Sequence, residues 1–121
     1  MNVLHVDDEQ DILFLAKIVL EMEPDTKVVQ CQSGFEALDV LKKERPDVIL
    51  LDLMMPGMTG EEFFEEVKRS GTQADVPVVF MTARTSQDVI DRLMAAGAAG
   101  YIAKPFKPDC LGAYLKSKVA A

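Results

Sequence analysis

The chain has no tryptophan, a single histidine and two cysteines. Neither Cys31 nor Cys110 belongs to a C-x-x-C pair or another metal-ligand spacing, so two small, partly buried, reduced thiols are expected. Long apolar runs are missing too. Stretches such as Val48-Ile49-Leu50-Leu51 have strand length and fall far short of a membrane span. Met1-Asn2-Val3-Leu4 enters an apolar segment directly, without a basic region and a long apolar stretch, so no secretory signal is expected. Positive charge is scarce: 13 Lys and Arg stand against 20 Asp and Glu, a net charge of −7. With a sequence pI near 4.6, this argues against binding a nucleic-acid backbone, which requires a basic face. No glycine-rich phosphate loop of the Walker or dinucleotide type is present. A Ser/His/Asp triad is also unsupported: no serine stands at a strand-end elbow, and His5 lies inside an apolar run.

What is present is alternation. Val3–Val6, Lys27–Cys31, Val48–Leu51, Val78–Met81 and Tyr101–Ala103 read as strands. The first, third and fourth are almost continuously apolar, as strands covered on both faces must be. Between and after them, apolar residues recur at helical spacing: Ile12, Leu15, Ala16 and Val19; Ala37, Leu38 and Leu41; Val89, Ile90, Leu93 and Met94; Leu111, Tyr114 and Leu115. Ser33 with Glu36 and Thr59 with Glu62 fit capping boxes at two helix starts, and Pro108 suits a first helical turn. At 121 residues, this pattern predicts one doubly wound α/β domain spanning 1–121. Such folds place ligands beyond the carboxyl ends of the strands.

Those ends carry the chemistry. Asp7-Asp8-Glu9 follows the first strand, Asp52 the third, Thr82-Ala83 the fourth and Lys104-Pro105 the fifth. Carboxylates gathered on one edge repel, and a divalent cation relieves them. All-oxygen ligation suits Mg²⁺. A carboxylate also serves as a nucleophile that forms an aspartyl-phosphate. Thr82 and Lys104 would contact the phosphoryl oxygens. Each residue alone has an ordinary role: Asp7 and Asp8 as helix caps, Asp52 as a turn residue, Thr82 as a cap, Lys104 as a solvated charge.

As an ordered set, these motifs resemble the receiver domain of two-component response regulators. The matching pieces are Val6-Asp7-Asp8-Glu9, the segment from Leu51 to Gly60, Thr82-Ala83 and Lys104-Pro105-Phe106. The resemblance implies a flavodoxin-like fold: a five-stranded parallel sheet in the order 2-1-3-4-5 with five helices. It implies that Asp52 is the phosphoacceptor. Asp7, Asp8, Asp52 and the backbone carbonyl of Met54 would hold Mg²⁺, with Mn²⁺ an acceptable substitute. Thr82, Lys104 and the backbone amide of Ala83 would contact the phosphoryl group. Thr82 and Tyr101 would form a switch, and the Lys104–Pro105 bond would be cis. Met54 and Arg84, both bulky, would obstruct the hydrolytic water and slow dephosphorylation.

The resemblance further implies a histidine kinase or histidine phosphotransfer protein as donor, a downstream protein or output domain as reader, and a cytoplasmic location. It implies no direct nucleic-acid or membrane binding by this domain. The chain would be a signalling switch, not a turnover enzyme. Asp88, Asp91 and Arg92 on the fourth helix, with Lys116 and Lys118 on the fifth, are a candidate surface for a homodimer formed on activation. The competing readings are a phosphorylation-independent module, which usually has lost part of the acidic set, and an aspartyl-phosphate phosphatase. The latter needs a second carboxylate where Met54 stands. Met54, Met55 and Met58 are expected to pack beside the site, and His5 to be a packed or hydrogen-bonded strand residue.

Overall fold

The computed structural model describes residues 1–71 and 73–119. Strands and helices alternate strictly: β1 (Asn2–Val6), α1 (Gln10–Leu20), β2 (Lys27–Cys31), α2 (Gly34–Leu41), β3 (Val48–Asp52), α3 (Gly60–Ser70), β4 (Val78–Thr82), α4 (Gln87–Ala95), β5 (Gly100–Ala103) and α5 (Pro108–Lys118). The five strands form one parallel sheet in the order β2-β1-β3-β4-β5, as the resemblance implied. The order reverses direction between β1 and β3, which leaves a crevice at their carboxyl ends.

Alternating side chains divide the core into two apolar layers. Leu4, Val6, Ile49, Leu51 and Phe80 pack with residues of α2, α3 and α4, including Ala37, Phe63, Val67 and Leu93. Val3, Val48, Leu50, Val79 and Met81 pack with Ala16 and Leu20 of α1 and with Leu111 and Leu115 of α5. The three central strands are buried throughout apart from Asn2, which accounts for their nearly unbroken apolar sequences. Among the described residues, no helix is long and apolar enough to cross a membrane.

Three local expectations need correction. On α1 the residues that face the sheet are Leu13, Ala16 and Leu20, whereas Leu15 is exposed together with Phe14 and Ile18. The helix is apolar nearly all round, so spacing alone permits more than one stripe. The Thr59 box closes in both directions, but the Ser33 box does not. Ser33 Oγ accepts from the Glu36 amide, while the Glu36 carboxylate takes the amide of Gln32 instead of that of Ser33. Both cysteines are free thiols, yet only Cys31 is buried, and Cys110 is exposed.

Candidate functional site at the carboxyl edge of the sheet

Each site residue is placed by backbone pairing. The Asp7 amide donates to the Cys31 carbonyl at 3.1 Å, continuing the β1–β2 ladder one residue past β1 and burying Asp7. Asp7 Oδ1 accepts from the Glu9 amide at 2.9 Å, so the start of α1 rests on this carboxylate. Asp8, next in sequence, is exposed. Asp52 is the last residue of β3, in register with Met81, and Thr82 is the last of β4, in register with Ala103. Both strands run one residue further than the apolar runs indicated, because the polar residue still pairs. The Lys104 amide donates to the Thr82 carbonyl at 2.9 Å, and the Lys104–Pro105 bond that follows is cis.

The loop after Asp52 is shaped by two glycines. Gly57 has φ of +82°, a left-handed conformation that L side chains rarely adopt. Gly60 opens α3 against the backbone of Asp52: a Cβ there would lie 2.2 Å from the Asp52 carbonyl oxygen and 3.0 Å from Leu53 Cα. Thr59 caps this helix by accepting from the Glu62 amide at 3.1 Å.

These placements bring three carboxylates together. Asp7, Asp8 and Asp52 each offer an oxygen, all within 4.8 Å of one another. Lys104 reaches in from β5, with Nζ 3.0 Å from Asp7 Oδ2, 3.2 Å from Asp52 Oδ1 and 2.9 Å from Glu9 Oε1. Apart from the Lys104 ion pair, the buried Asp7 Oδ2 has no hydrogen-bond donor, and the buried Asp52 Oδ2 has none either.

Burial pushes the Asp52 carboxyl up to about 7, the charge of Asp7 adds to the shift, and Lys104 opposes it. Burial likewise raises Asp7. At Lys104 burial works against the charge, but Glu9, Asp7 and Asp52 together hold the ammonium above its usual range. Lys104 thus serves several carboxylates at once, and two of their buried oxygens, Asp7 Oδ2 and Asp52 Oδ2, have no donor. A hard divalent cation with oxygen ligands matches that deficit.

The other expected site residues lie on β4, on β5 and in the loops that follow β3 and β4. Thr82 is buried, and its hydroxyl accepts from the Arg84 amide at 2.8 Å. Ala83, exposed, follows it directly. Tyr101 is 37% exposed and stands two residues before Ala103, hence on the same face of the sheet as Thr82. Its amide donates to the Tyr114 hydroxyl at 3.1 Å. Met54 and Arg84 turn their side chains to solvent, and the Met54 amide donates to Asp52 Oδ1 at 3.3 Å. Of the three methionines, Met55 is buried and Met58 packs against the same layer, whereas Met54 does not pack. Glu9 is the residue that sequence reasoning missed. It was visible as the third acid of Asp7-Asp8-Glu9, but only two were assigned roles.

A family model described as the response regulator receiver domain matches residues 3–116. The chain belongs to that family. Receiver domains are signalling switches that work with histidine kinases and output domains. This receiver domain is 40% identical over 118 residues to the transcriptional regulatory protein YvrH of Bacillus subtilis, an alignment covering 96% of this chain and 48% of YvrH. It is 37% identical over 116 residues to the phosphate regulon transcriptional regulatory protein PhoB of Escherichia coli, covering 96% of this chain and 50% of PhoB. It spans about half the length of these curated relatives. Among solved structures, the chemotaxis response regulator CheY4 of Vibrio cholerae superposes with a TM-score of 0.89 at 34% identity, covering 98% of both chains.

Proposed function

We propose that residues 1–121 act as one receiver module that accepts a phosphoryl group on Asp52 from a histidine kinase or histidine phosphotransfer protein. The observation that carries this reading is Asp52 Oδ2: a buried carboxylate oxygen without a donor, among Asp7, Asp8 and Lys104. Asp7, Asp8, Asp52 and the Met54 carbonyl would hold Mg²⁺, or Mn²⁺ in its place. The ion would neutralise phosphoryl oxygens during transfer.

In the transfer, a carboxylate oxygen of Asp52 attacks phosphorus. The P–O bond forms as the P–N bond to the donor imidazole breaks, and the imidazole leaves with the bonding pair. Lys104 is already 3.2 Å from Asp52 Oδ1 and takes one phosphoryl oxygen, while the Ala83 amide takes another. The Thr82 hydroxyl exchanges its Arg84 amide for a phosphoryl oxygen. Tyr101, on the same face, turns inward as Thr82 moves. The surface of α4, β5 and α5 then changes shape and is read by a partner or an attached output domain.

This reading makes the protein a cytoplasmic switch without sustained turnover, and the domain itself contacts neither nucleic acid nor membrane. A homodimer on activation through the charged residues of α4 and α5 remains part of this reading; there Arg92 also makes hydrogen bonds of 3.0 and 2.9 Å to Glu61 of α3. Met54 and Arg84 border the cluster without entering it, and they would act by obstructing the hydrolytic water. Replacing both with small residues should accelerate loss of phosphate. The deciding experiment is labelling with a ³²P-phosphohistidine donor: the wild type acquires acid-stable, hydroxylamine-labile label and Asp52→Asn acquires none. Label retained on Asp52→Asn would end this assignment.

A further inference from the structure

The single histidine stands directly behind the acidic cluster. His5 is on β1, fully buried, in the layer between the sheet and α1. Its neighbour across the β1–β2 ladder is Gln30, in register with it. Gln30 Nε2 donates to the Leu13 carbonyl of α1, which fixes the side-chain amide with nitrogen toward α1. The same nitrogen lies 3.5 Å from His5 Nδ1. An amide nitrogen only donates, so Nδ1 must accept and the network assigns the imidazole proton to Nε2. Nε2 faces Asp7 Oδ2 at 4.0 Å, and both atoms are buried without a hydrogen-bond partner.

In this state Asp7 Oδ2 is held by Lys104 at 3.0 Å. Lys104 cannot serve a phosphoryl group and Asp7 equally well. When it turns to the phosphoryl oxygens, Asp7 Oδ2 loses this contact, and the N–H behind it is the group placed to take over. We propose that His5 is a positioning residue for Asp7: its Nε2–H, 4.0 Å from Asp7 Oδ2, closes to a hydrogen bond when the site is loaded and holds the carboxylate in its metal-binding orientation. Two faces of Asp7 are then fixed, with the Glu9 amide on Oδ1 and the imidazole on Oδ2. This role rests on the phosphoacceptor reading and adds to it a line from α1 through Leu13, Gln30 and His5 to the acidic cluster.

The test compares Mg²⁺ affinity of the full chain for wild type, His5→Leu and His5→Gln by ¹H–¹⁵N NMR titration. Losing a partner of a metal-ligating group weakens affinity about tenfold, and Gln, whose amide nitrogen reaches the place of Nε2, restores most of it. In the wild type, ¹⁵N-imidazole spectra show the Nε2–H tautomer, and its proton shifts downfield and exchanges more slowly when Mg²⁺ is added. Should His5→Leu fail to fold, His5→Gln and the tautomer decide the matter. An Nδ1–H tautomer, unchanged Mg²⁺ affinity in His5→Leu, or a folded His5→Gln with tenfold weaker binding would each overturn the positioning role and leave Asp52 as phosphoacceptor. A wild-type domain that takes up no Mg²⁺ would overturn both.

Discussion

The two ends of the sheet each carry ion pairs, and the shorter pair is at the end without the acidic cluster. At the amino ends of β3 and β4, Arg45 meets Asp75 at 2.6 Å. At the carboxyl ends, the closest contact of Lys104 is 2.9 Å. Yet the Arg45 and Asp75 side chains are 52% and 74% exposed, whereas those of Lys104, Asp7 and Asp52 are 10%, 0% and 4% exposed. The exposed pair makes both charges easier to hold: Arg45 is raised and Asp75 lowered, each chiefly by its hydrogen bond to the other. Such pairs contribute little, because water and salt screen them. The buried cluster makes negative charge harder to hold, as the rise of Asp52 to about 7 shows. What distinguishes a candidate site from a surface contact is therefore unmet demand for charge, not proximity.

The largest effect tests whether the carboxyl edge tolerates any slack. Gly60→Ala drives a Cβ to within 2.2 Å of the Asp52 carbonyl, against backbone and not a flexible side chain. Urea denaturation should show a loss of roughly 2–4 kcal/mol. A loss below that range would mean that the loop yields, and the site is less rigid than its packing implies.

Next comes the sign of the charge conflict. Asp52 keeps its proton in the folded state up to about 7 and in the unfolded state only to about 3.8. The folded state binds more protons between these values, so metal-free stability falls as pH rises through that window. Asp52→Asn removes this contribution to the fall and should be more stable than wild type at pH 8 by roughly 1–3 kcal/mol, with no gain at pH 3. Mg²⁺ should stabilise the wild type and not the variant. Denaturation curves at the two pH values, with and without Mg²⁺, check all three outcomes. A wild type more stable than Asp52→Asn at pH 8 without metal would refute the conflict.

A smaller change separates local structure from the charge cluster. Thr59→Ala opens the complete capping box of α3 and should cost about 1 kcal/mol at every pH. Because it touches no site carboxylate, it should leave the pH dependence unchanged in the same denaturation series. Asp75→Asn should do least: the unfolding midpoint stays where it was, at low and high salt alike. A clear drop on removing that 2.6 Å contact would show that distance matters more than burial here.

Much of this was legible beforehand. The residues of the acidic cluster were visible because each follows an apolar run, and in a parallel sheet all strand ends of one kind share an edge. The reversal at β1 was not visible, since periodicity says nothing of which strands are neighbours, and the family resemblance supplied it. Identical local signals also diverged. Ser33 with Glu36 and Thr59 with Glu62 have the same spacing, but only the latter closes reciprocally, because Glu36 finds Gln32 instead. Leu15 matched the α1 stripe as well as Leu13 did, and the crossover onto the sheet chose between them.

The sequence by itself determined the alternation of strand and helix, the apolar character of both sheet faces, and the presence of Asp7, Asp8, Asp52, Thr82 and Lys104 at strand ends. These are local properties, set by the period of side chains and the residues that interrupt it. Only the tertiary structure decided that Lys104, just after β5, reaches Glu9, just before α1, that Asp52 Oδ2 lacks a partner, and that His5 faces Asp7 from behind. Those facts depend on which strands are adjacent and how deeply each end is buried. Burial, acting on charges brought together across the chain, raises the proton affinity of Asp52 and creates the deficit of positive charge that a cation would fill.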